Sequence, residues 1–598
     1  MPASDLLATV ANRAVIGDDA QTHCRFLENA MYANLTCVCL YLIPVMLSAA
    51  SDQVPLGHPD FRPSPERPIG WRGDGSGIYP GATPVTDWDG PSGRNIVWKV
   101  AMPQFSTSSP IIVGERVISM AEPHTVLCYD IHTGERLWYN ADDAVLAACT
   151  GDAAEAKRTR GLYDLYTTIL CDKANRKKPL AEIAKQHPEV LPLQKLGAKL
   201  GGGDWGKRSW EDSPRYFLER GLQQTKYSNA IGRTFPTPVS DGASVYVTTG
   251  MHSAACYDIT DGTLRWFRYF GAPPKFTESM APSPLLIDGV LIATQGRIMR
   301  GLDAHSGKTL WTHDMTDEES AAYVAHDKLV RRDGPTGHYG VGTPLCLEVD
   351  GEPVIITTLG QAVRPSDGKL LCPYIGAMAD CGGHSPVGDD ENDIVFMFDY
   401  QDGGGGAATD RTWAIALTRK QDGRIGAETL WDVEDYGNTG GSPLYVAGVI
   451  FDNTLDAAES STGKRLDIAP GRINSGGYSS PTLAGDLFIT NNNQGDFSVT
   501  RFDREKHTLQ KVGDQVLFES FGKKQRDQHS AIRAEQRQRA EAAREEGIVG
   551  FIPAMPGHGQ WTTTYGSSPF FAGNRFVIRS RTHLYCVGDP SVRYTGGD

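Results

Sequence analysis

One segment of this chain recurs at fixed spacing, and this repeat limits the fold more than any other feature of the sequence. The first copy reads Cys128-x-Asp130-x-x-Thr133-Gly134-x-x-x-Trp138. At the same offsets the second copy has Cys256, Asp258, Gly262 and Trp266, and the third has Asp303, Gly307 and Trp311. Self-similarity of this kind is typical of repeat architectures, so we expect one small unit to be stacked many times.

The start of the unit, a proline before a short apolar run, can be followed around the whole chain. It occurs eight times, at Pro110, Pro238, Pro284, Pro344, Pro386, Pro443, Pro481 and Pro569. Each copy contains four short apolar stretches separated by turn residues, and a four-stranded sheet cannot bury both of its faces alone. Sheets stacked radially bury each other, so the predicted fold class is an all-β, eight-bladed β-propeller of four-stranded blades.

The Asp/Thr/Ser-Gly pair within the motif predicts the tight turn between the third and fourth strands of a blade. The tryptophan four residues later can pack between adjacent blades while its indole N–H reaches a backbone acceptor. The tryptophans expected in this docking role are Trp98, Trp138, Trp266, Trp311 and Trp431. Later copies drift from the pattern, since Cys372 replaces the tryptophan in one copy and none follows Thr462-Gly463 in another.

A strand that stands before blade one and belongs to no copy of the repeat predicts how the ring closes. The eighth copy ends with its third strand, Leu584 to Val587, and no fourth strand with a tryptophan follows it. Asn95 to Lys99, which includes Trp98, stands before the first blade and looks like a fourth strand. We therefore expect this N-terminal strand to complete blade eight.

The motif ending at Trp138 resembles the tryptophan-docking repeat of the pyrroloquinoline-quinone (PQQ)-type, or quinoprotein-like, eight-bladed propellers, over roughly residues 94–590. That group contains quinoprotein alcohol dehydrogenases and non-enzymatic members such as BamB, a lipoprotein of the outer-membrane assembly machinery. Trp71-Arg72-Gly73 and the glycine-rich stretch after it look like the lead-in of uncharacterised exported bacterial members. The resemblance thus implies the propeller fold and admits both a binding role and an enzymatic one.

Departures from the enzymes decide the functional hypothesis. The dehydrogenases are known for two adjacent cysteines over the quinone, and this chain has neither that pair nor a C-x-x-C-H haem motif. No residue here matches a local motif for the calcium ligands or the catalytic Asp. We predict a non-catalytic protein- or ligand-binding platform with no cofactor and no metal. The alternative is a PQQ- and calcium-dependent oxidoreductase, whereas no residue set can be assembled for a hydrolase or lyase.

The N-terminus indicates export. Residues 29–51 carry no charge, and the apolar stretch ends in Ser48-Ala49-Ala50, as at the cleavage site of a secretory signal; a retained anchor is the alternative. The expected organisation is an export segment over 1–50, with Met31 as an alternative start, a lead-in over 51–93, the propeller over 94–590 and a tail over 591–598. This predicts a periplasmic or extracellular protein whose only membrane association is through an uncleaved N-terminal segment. The net charge of −14 argues against nucleic acid as a partner.

The cysteines fall into two groups. Cys128, Cys256, Cys346 and Cys586 lie at repeat positions or in apolar runs and are expected to be unpaired core residues. Cys149 with Cys171, and Cys372 with Cys381, are close enough in sequence to form disulfides in an oxidising compartment, although the connectivity is open.

Three insertions, at about 141–232, 315–338 and 504–562, each lie between a fourth strand and the next first strand. Strand direction alternates within a blade, so all three are expected on one face, around the channel mouth, where a partner or small ligand would bind. Leu180 to Gln186, before Pro188, predicts a short helix in the first insertion.

The candidate ligand or partner residues lie near the channel mouth. His124, His252 and His583 occupy similar positions in blades one, two and eight, and Arg297 occupies the one in blade three. Because neighbouring sheets are about 10 Å apart, these histidines are too distant for shared metal coordination, and packing or loop hydrogen bonding is expected. The other mouth residues are His338, Tyr339, His384, Tyr478 and Tyr565. Asp389, Asp390, Glu391 and Asp393 fit no standard calcium loop, so solvation is expected there.

Overall fold

The described strands form eight antiparallel sheets, which confirms the predicted eight-bladed propeller. All of them lie in the compact unit Leu56–Asp598. The computed structural model describes residues 55–58, 61–103, 106–121, 125–140, 180–190, 235–249, 253–270, 282–295, 298–314, 342–377, 384–401, 409–434, 436, 441–468, 470–475, 479–518, 567–580 and 583–596.

In every blade the repeat proline directly precedes the innermost strand. Blade 1 contains, from first to fourth strand, Ile111–Val113, Arg116–Ala121, Thr125–Asp130 and Arg136–Asn140. Blade 2 contains Val239–Ser240, Ser244–Thr249, Ser253–Asp258 and Leu264–Tyr269. Blade 3 contains Leu285–Ile287, Val290–Gln295, Ile298–Asp303 and Thr309–Asp314. Blade 4 contains Leu345–Val349, Glu352–Ile356, Ala362–Val363 and Leu370–Cys372.

The second half of the ring repeats this order. Blade 5 contains Val387–Asp389, Ile394–Gln401, Thr409–Arg419 and Ile425–Glu434. Blade 6 contains Leu444–Val446, Val449–Phe451, Ala457–Glu459 and Arg465–Leu466. Blade 7 contains Thr482–Ala484, Leu487–Asn491, Asp496–Asp503 and Thr508–Val516, and Ile78–Tyr79 adds a parallel strand to its inner edge. Blade 8 contains Phe570–Ala572, Arg575–Arg579, His583–Val587 and Ile96–Ala101.

Blade 8 closes the ring as predicted. Its fourth strand, Ile96–Ala101, comes from the N-terminal side of the chain and pairs antiparallel with His583–Val587, with Trp98 opposite Cys586. The C-terminal tail adds a second closure, because the hydroxyl of Tyr594 donates to the carbonyl of Gly114 in blade 1 over 3.0 Å. Both ends of the propeller chain therefore stabilise the junction between blades 8 and 1.

All five predicted docking tryptophans lie at the seam between their own blade and the next. Each indole N–H donates to a backbone carbonyl of that next blade, Trp98 to Ile131, Trp138 to Ile259, Trp266 to Ala304, Trp311 to Pro365 and Trp431 to Ser460, over 2.7–3.0 Å. The repeat Asp completes the local motif, since the Asp130 carboxylate accepts from the backbone N–H groups of His132 and Thr133 and so orders the turn.

The repeat glycine has a second role beyond its turn. Gly134 has φ of +71°, and a Cβ on it would lie 2.8 Å from the ring of Trp98. Gly262 repeats this arrangement, with a Cβ 2.4 Å from the Trp138 ring. The glycine thus permits both the left-handed turn and the close approach of the tryptophan from the preceding blade.

Three seams lack a docking tryptophan from a fourth strand and are filled in other ways. Between blades 4 and 5, Trp413 of a third strand packs in the same cluster as Cys372. Between blades 6 and 7, Phe451 lies 4.8 Å from Phe488 and 5.1 Å from Phe502, measured between ring centroids. Between blades 7 and 8, Trp88 of the lead-in, which is 0% exposed, packs edge-on against Phe497 and Phe576.

The lead-in crosses the face that carries the turns between first and second strands. The Gly57 N–H donates to the Asp241 carbonyl in blade 2, and the Ile69 carbonyl accepts from Ser240 in the same blade. The Thr83 N–H donates to the Gly573 carbonyl in blade 8. Because strands alternate in direction, this face is opposite the one from which the insertions leave. We call it the lower face, and the opposite one the upper face.

The structure changes one predicted boundary of the insertions and confirms the predicted helix. The third insertion was placed from residue 504, but Thr508–Val516 is the fourth strand of blade 7, so the insertion begins after that strand. The helix predicted in the first insertion is present as Leu180–Gln186 and ends before Pro188. The rest of the insertions, and residues 1–54, lie outside the described residues. No helix in the described part of the chain has the length and hydrophobicity needed to cross a bilayer.

Cysteine burial agrees with the sequence except at one position. Cys128, Cys256 and Cys586 are buried and free, and Cys346 is half-buried and free. Cys372 is also free, and its thiol donates to the Tyr374 carbonyl over 3.3 Å, so the predicted pairing with Cys381 is wrong in this structure. Cys149 and Cys171 lie outside the described residues, and their pairing stays a prediction.

We expect the thiols of Cys128, Cys256 and Cys586 to resist alkylation in the native protein at pH 8. Burial raises the pKa of each to about 12, so the reactive thiolate is scarce, and the side chains are inaccessible. Mass spectrometry after iodoacetamide treatment, with and without prior denaturation, measures this. Labelling of the native protein at the same rate as the unfolded chain would contradict the burial.

Candidate functional site

A ring of hydroxyl side chains surrounds the central channel. Each of them belongs to the residue directly before a repeat proline. Every repeat proline is preceded by Ser or Thr, and all eight are buried: Ser109, Thr237, Ser283, Thr343, Ser385, Ser442, Ser480 and Ser568. We call these residues the hydroxyl ring. Their position at the start of the inner strands places them toward the upper end of the channel.

The hydroxyl ring joins blades to each other. At six seams the backbone N–H of one ring residue donates to the side-chain oxygen of the next, from Thr237 to Ser283, Ser283 to Thr343, Thr343 to Ser385, Ser385 to Ser442, Ser442 to Ser480 and Ser568 to Ser109, over 2.8–3.1 Å. At the seam between blades 1 and 2, Ser108 donates to the Pro236 carbonyl instead. These bonds satisfy backbone groups that the inner strand edges would otherwise leave unpaired.

Two of the predicted mouth residues fall among the described ones. His384, which precedes Ser385, is 2% exposed, and its carbonyl oxygen would lie 2.0 Å from a Cβ on Gly342, so neighbouring blades approach closely there. His583 begins the third strand of blade 8, where its N–H donates to the Ser580 hydroxyl and its carbonyl accepts from the Ser580 N–H. The structure does not place these two histidines in a common group.

The other predicted mouth residues, His124, His252, Arg297, His338, Tyr339, Tyr478 and Tyr565, lie outside the described residues. Their proposed roles stay predictions. The sequence analysis missed two features of the channel: the hydroxyl before each proline and the part played by the lead-in. The first was visible as a Ser/Thr-Pro pair in all eight copies, whereas no local pattern indicated where the lead-in would pack.

Arg72 of the lead-in reaches into the channel. Its two terminal nitrogens donate to the carbonyls of Pro443 and Pro481, over 2.9 and 2.8 Å, which lie on the innermost edges of blades 6 and 7. A Cβ on Gly77 would lie 2.4 Å from the guanidinium, so a glycine is needed for the loop to cover it. The Arg72 side chain therefore connects two blades from inside the channel.

The buried Arg72 charge is stabilised by these carbonyl dipoles and, at longer range, by Asp74. The residue is 1% exposed, and desolvation lowers its pKa to about 10, still high enough to keep it charged at neutral pH. The Asp74 carboxylate accepts from the N–H and hydroxyl of Ser76. Burial raises the pKa of Asp74.

The carboxylates of the acidic loop in blade 5 accept hydrogen bonds from neighbouring protein groups. Asp389 was expected to be solvated, but it is buried, and its carboxylate accepts from the Tyr445 hydroxyl and the Asn392 amide. Asp390 accepts from the Glu348 N–H, and burial raises the pKa of Asp390. These contacts order the turn between the first and second strands on the lower face.

The described residues do not fit a calcium-bound quinone. Within the described ranges, no three side chains of His, Cys, Asp or Glu are grouped so that they could hold a metal ion. Inside the channel, Arg72 is already bonded to two carbonyls.

The comparison with family models agrees with this architecture. The family described as "Outer membrane protein assembly factor BamB" matches residues 75–167 and 198–336, which include the lead-in glycines and the first three blades. The match shows PQQ-like β-propeller repeats over this part of the chain. No curated protein matches the sequence.

Several solved structures are similar to this chain in fold. BamB from Moraxella catarrhalis is 11% identical, with a TM-score of 0.41, and the match covers 84% of this chain and 99% of that one. A europium-containing methanol dehydrogenase is 12% identical, with a TM-score of 0.31, over 73% of this chain and 90% of that one. The quinohemoprotein alcohol dehydrogenase from Comamonas testosteroni is 11% identical, with a TM-score of 0.29, over 74% and 77% of the two chains.

Proposed function

We propose that this protein is an exported, non-catalytic platform that binds a protein partner through its upper face. The observation that carries the proposal is that the described channel residues bond one blade to another. The hydroxyl ring joins neighbouring blades, and Arg72 joins blades 6 and 7, so these groups serve the scaffold. A ring whose blades are joined in this way is suited to hold loops in place for binding.

The topology supports the upper face as the binding surface. The described strand ends that precede the three insertions are Asn140, Asp314 and Val516, and each ends a fourth strand. Fourth strands run from the lower face to the upper one, so the chain leaves all three blades on the same side. The insertions then offer a shared surface, for which about 800 Å² per partner is typical of a stable complex.

The family model supports a binding role. Its description names an assembly factor, and the match includes residues 141–167 and 198–232 of the first insertion and most of the second. We propose for this chain the same general kind of role, the binding of another protein in an exported compartment, without a bound cofactor.

Replacing residues 141–232 with a short Gly/Ser linker should leave a folded propeller that no longer binds its partner. The ends of the insertion are strand ends of adjacent blades, and the free-energy cost of changing loop length is small. Melting of the variant reports the fold. A photo-cross-linking residue in the 315–338 insertion of the intact chain, compared with one at the exposed lower-face residue Val592, reports the face that binds.

We expect a discrete cross-linked partner from the upper-face position only, and its loss in the deletion variant. Cross-linking from Val592 alone, or full retention in the deletion variant, would move the binding surface elsewhere. Titration with PQQ and Ca²⁺, followed by absorbance and dye-linked alcohol oxidation, provides the second test. Saturable binding with turnover would establish the oxidoreductase alternative in place of the platform.

A further inference from the structure

Arg300 is a charged residue at a repeat position that is apolar in the two preceding blades. It stands three residues before Asp303, the repeat Asp of blade 3. The residues at the same offset in blades 1 and 2 are Leu127 and Ala255, and both are fully buried. Blade 3 therefore carries a charge where its neighbours pack an apolar side chain, and the repeat itself gives no reason for an arginine there.

The Arg300 guanidinium has no polar partner within the described part of the chain. It makes neither a hydrogen bond nor an ion pair there, and its Nη1 atom is buried without an acceptor. Burial lowers its pKa to about 10, and Asp314 stabilises the charge at longer range, so Arg300 is charged at neutral pH. By contrast, Arg268 of blade 2 uses every guanidinium nitrogen to donate to a backbone carbonyl. A charge that is partly removed from water and unpaired is costly, so Arg300 would gain from an anionic partner.

An aromatic ring fixes the orientation of this guanidinium. The guanidinium carbon of Arg300 lies 4.4 Å from the centroid of the Phe270 ring, and both residues are half-buried. Stacking on a ring uses the face of the guanidinium, whereas a carboxylate binds along its edge, often through two parallel hydrogen bonds. The contact with Phe270 therefore positions Arg300 without blocking the binding of a carboxylate.

This pair lies at the upper end of the seam between blades 2 and 3. Arg300 is the third residue of the third strand of blade 3, and this strand starts at the upper face, about 7 Å away along the strand. Phe270 directly follows the fourth strand of blade 2, which ends at the upper face. Asp314, where the second insertion leaves blade 3, is the strand partner of Ile298. The Arg300–Phe270 pair therefore stands beside the second insertion.

We propose that Arg300, stacked on Phe270, is the point at which a carboxylate side chain of the protein partner docks on the upper face. The proposal rests on the platform role and specifies it, because the partner must present an Asp or Glu side chain to the seam between blades 2 and 3. Arginine and aromatic side chains are enriched in the cores of protein interfaces.

Arg300→Met tests the charge, because it keeps an unbranched side chain against Phe270. Its melting temperature should equal or exceed that of the unmodified chain, since no hydrogen bond is lost and an unpaired charge is removed. Cross-linking of the partner from the 315–338 insertion should fall about tenfold or more, as for loss of a charge-assisted hydrogen bond. Arg136→Met is the matched control. Arg136 stacks on Tyr139 at 4.5 Å but is exposed at the lower end of its strand, so cross-linking should not change.

Arg300→Lys identifies the group that docks. Lysine keeps the positive charge but lacks the planar fork, so the yield of cross-linked partner should be intermediate. A water-soluble carbodiimide should then couple the introduced lysine to the partner: the ε-amine attacks the activated carboxylate, an amide bond forms and the activating group leaves as a urea. Mass spectrometry of the digest identifies the partner residue. Arg136→Lys should give no such coupling.

Three results would overturn the proposal and leave the platform role intact: cross-linking that survives in Arg300→Met, a clear fall in the melting temperature of that variant, or coupling of the introduced lysine to carboxylates of its own chain alone. The absence of any cross-linked partner from the intact chain would overturn the platform role, and this proposal with it. The two failures are therefore distinguishable.

Discussion

Replacing Trp98 with alanine is expected to lower the free energy of unfolding by about 3–5 kcal/mol, the usual cost of removing a buried aromatic side chain. Trp98 is 7% exposed, packs on Gly134 of blade 1 and donates to the Ile131 carbonyl over 2.7 Å. Its strand is the one that closes the ring, so the loss is felt where the two ends of the propeller meet. Denaturant unfolding followed by circular dichroism measures the change.

Two further variants separate docking from general apolar burial. Trp98→Phe keeps a ring in the seam but loses the N–H donor, so we expect an intermediate loss of about 1–2 kcal/mol. Leu137→Ala removes a large apolar side chain that is 46% exposed on the fourth strand of blade 1, and the free energy of unfolding should change by less than about 0.5 kcal/mol. An unchanged midpoint of denaturant unfolding for Trp98→Ala would mean that this strand does not belong to blade 8.

Trp88→Ala is expected to destabilise the protein by a similar amount, about 3–5 kcal/mol, although Trp88 belongs to no blade. Its ring is fully buried and lies 5.7 Å from Phe497 and 5.2 Å from Phe576, so it fills the seam between blades 7 and 8. Its backbone N–H donates to the side chain of Gln515 in the fourth strand of blade 7. The same unfolding measurement applies.

Trp71→Ala is the matched control for Trp88, because it removes the same side chain from the same lead-in. Trp71 is only half-buried and stacks with the Arg72 guanidinium at 5.4 Å, an interaction of about 1 kcal/mol. We expect a clearly smaller loss than for Trp88→Ala. Equal effects of the two substitutions would mean that the lead-in contributes as a whole and that Trp88 does not fill a specific seam.

The propeller, the number of its blades and its closure could all be predicted from the sequence, because repeat motifs act locally. The motif that ends at Trp138 contains its own turn in Thr133-Gly134, its turn-ordering Asp130 and its docking side chain, all within 11 residues. The same local chemistry at fixed spacing gives the same strand, turn and seam in each copy. Ring closure followed because one strand was missing at the C-terminal end and one was spare at the N-terminal end.

Positions where the motif drifts could not be predicted in this way. Cys372 stands where a tryptophan was expected, and the seam is filled instead by Trp413 from the third strand of the next blade. The predicted Cys372–Cys381 pair rested on closeness in sequence. Closeness in sequence does not determine where a thiol points, and the Cys372 thiol donates to the Tyr374 carbonyl.

The sequence by itself determined the part of this protein that rests on short-range, repeated interactions: strands, turns, docking tryptophans and ring closure. Only the tertiary structure decided where the lead-in goes. Its partners are far away along the chain, since Arg72 bonds to Pro443 and Pro481 and Trp88 packs on Phe497 and Phe576. Such contacts leave no periodic pattern in the sequence, because each is made once and depends on space that exists only after all eight blades are in place.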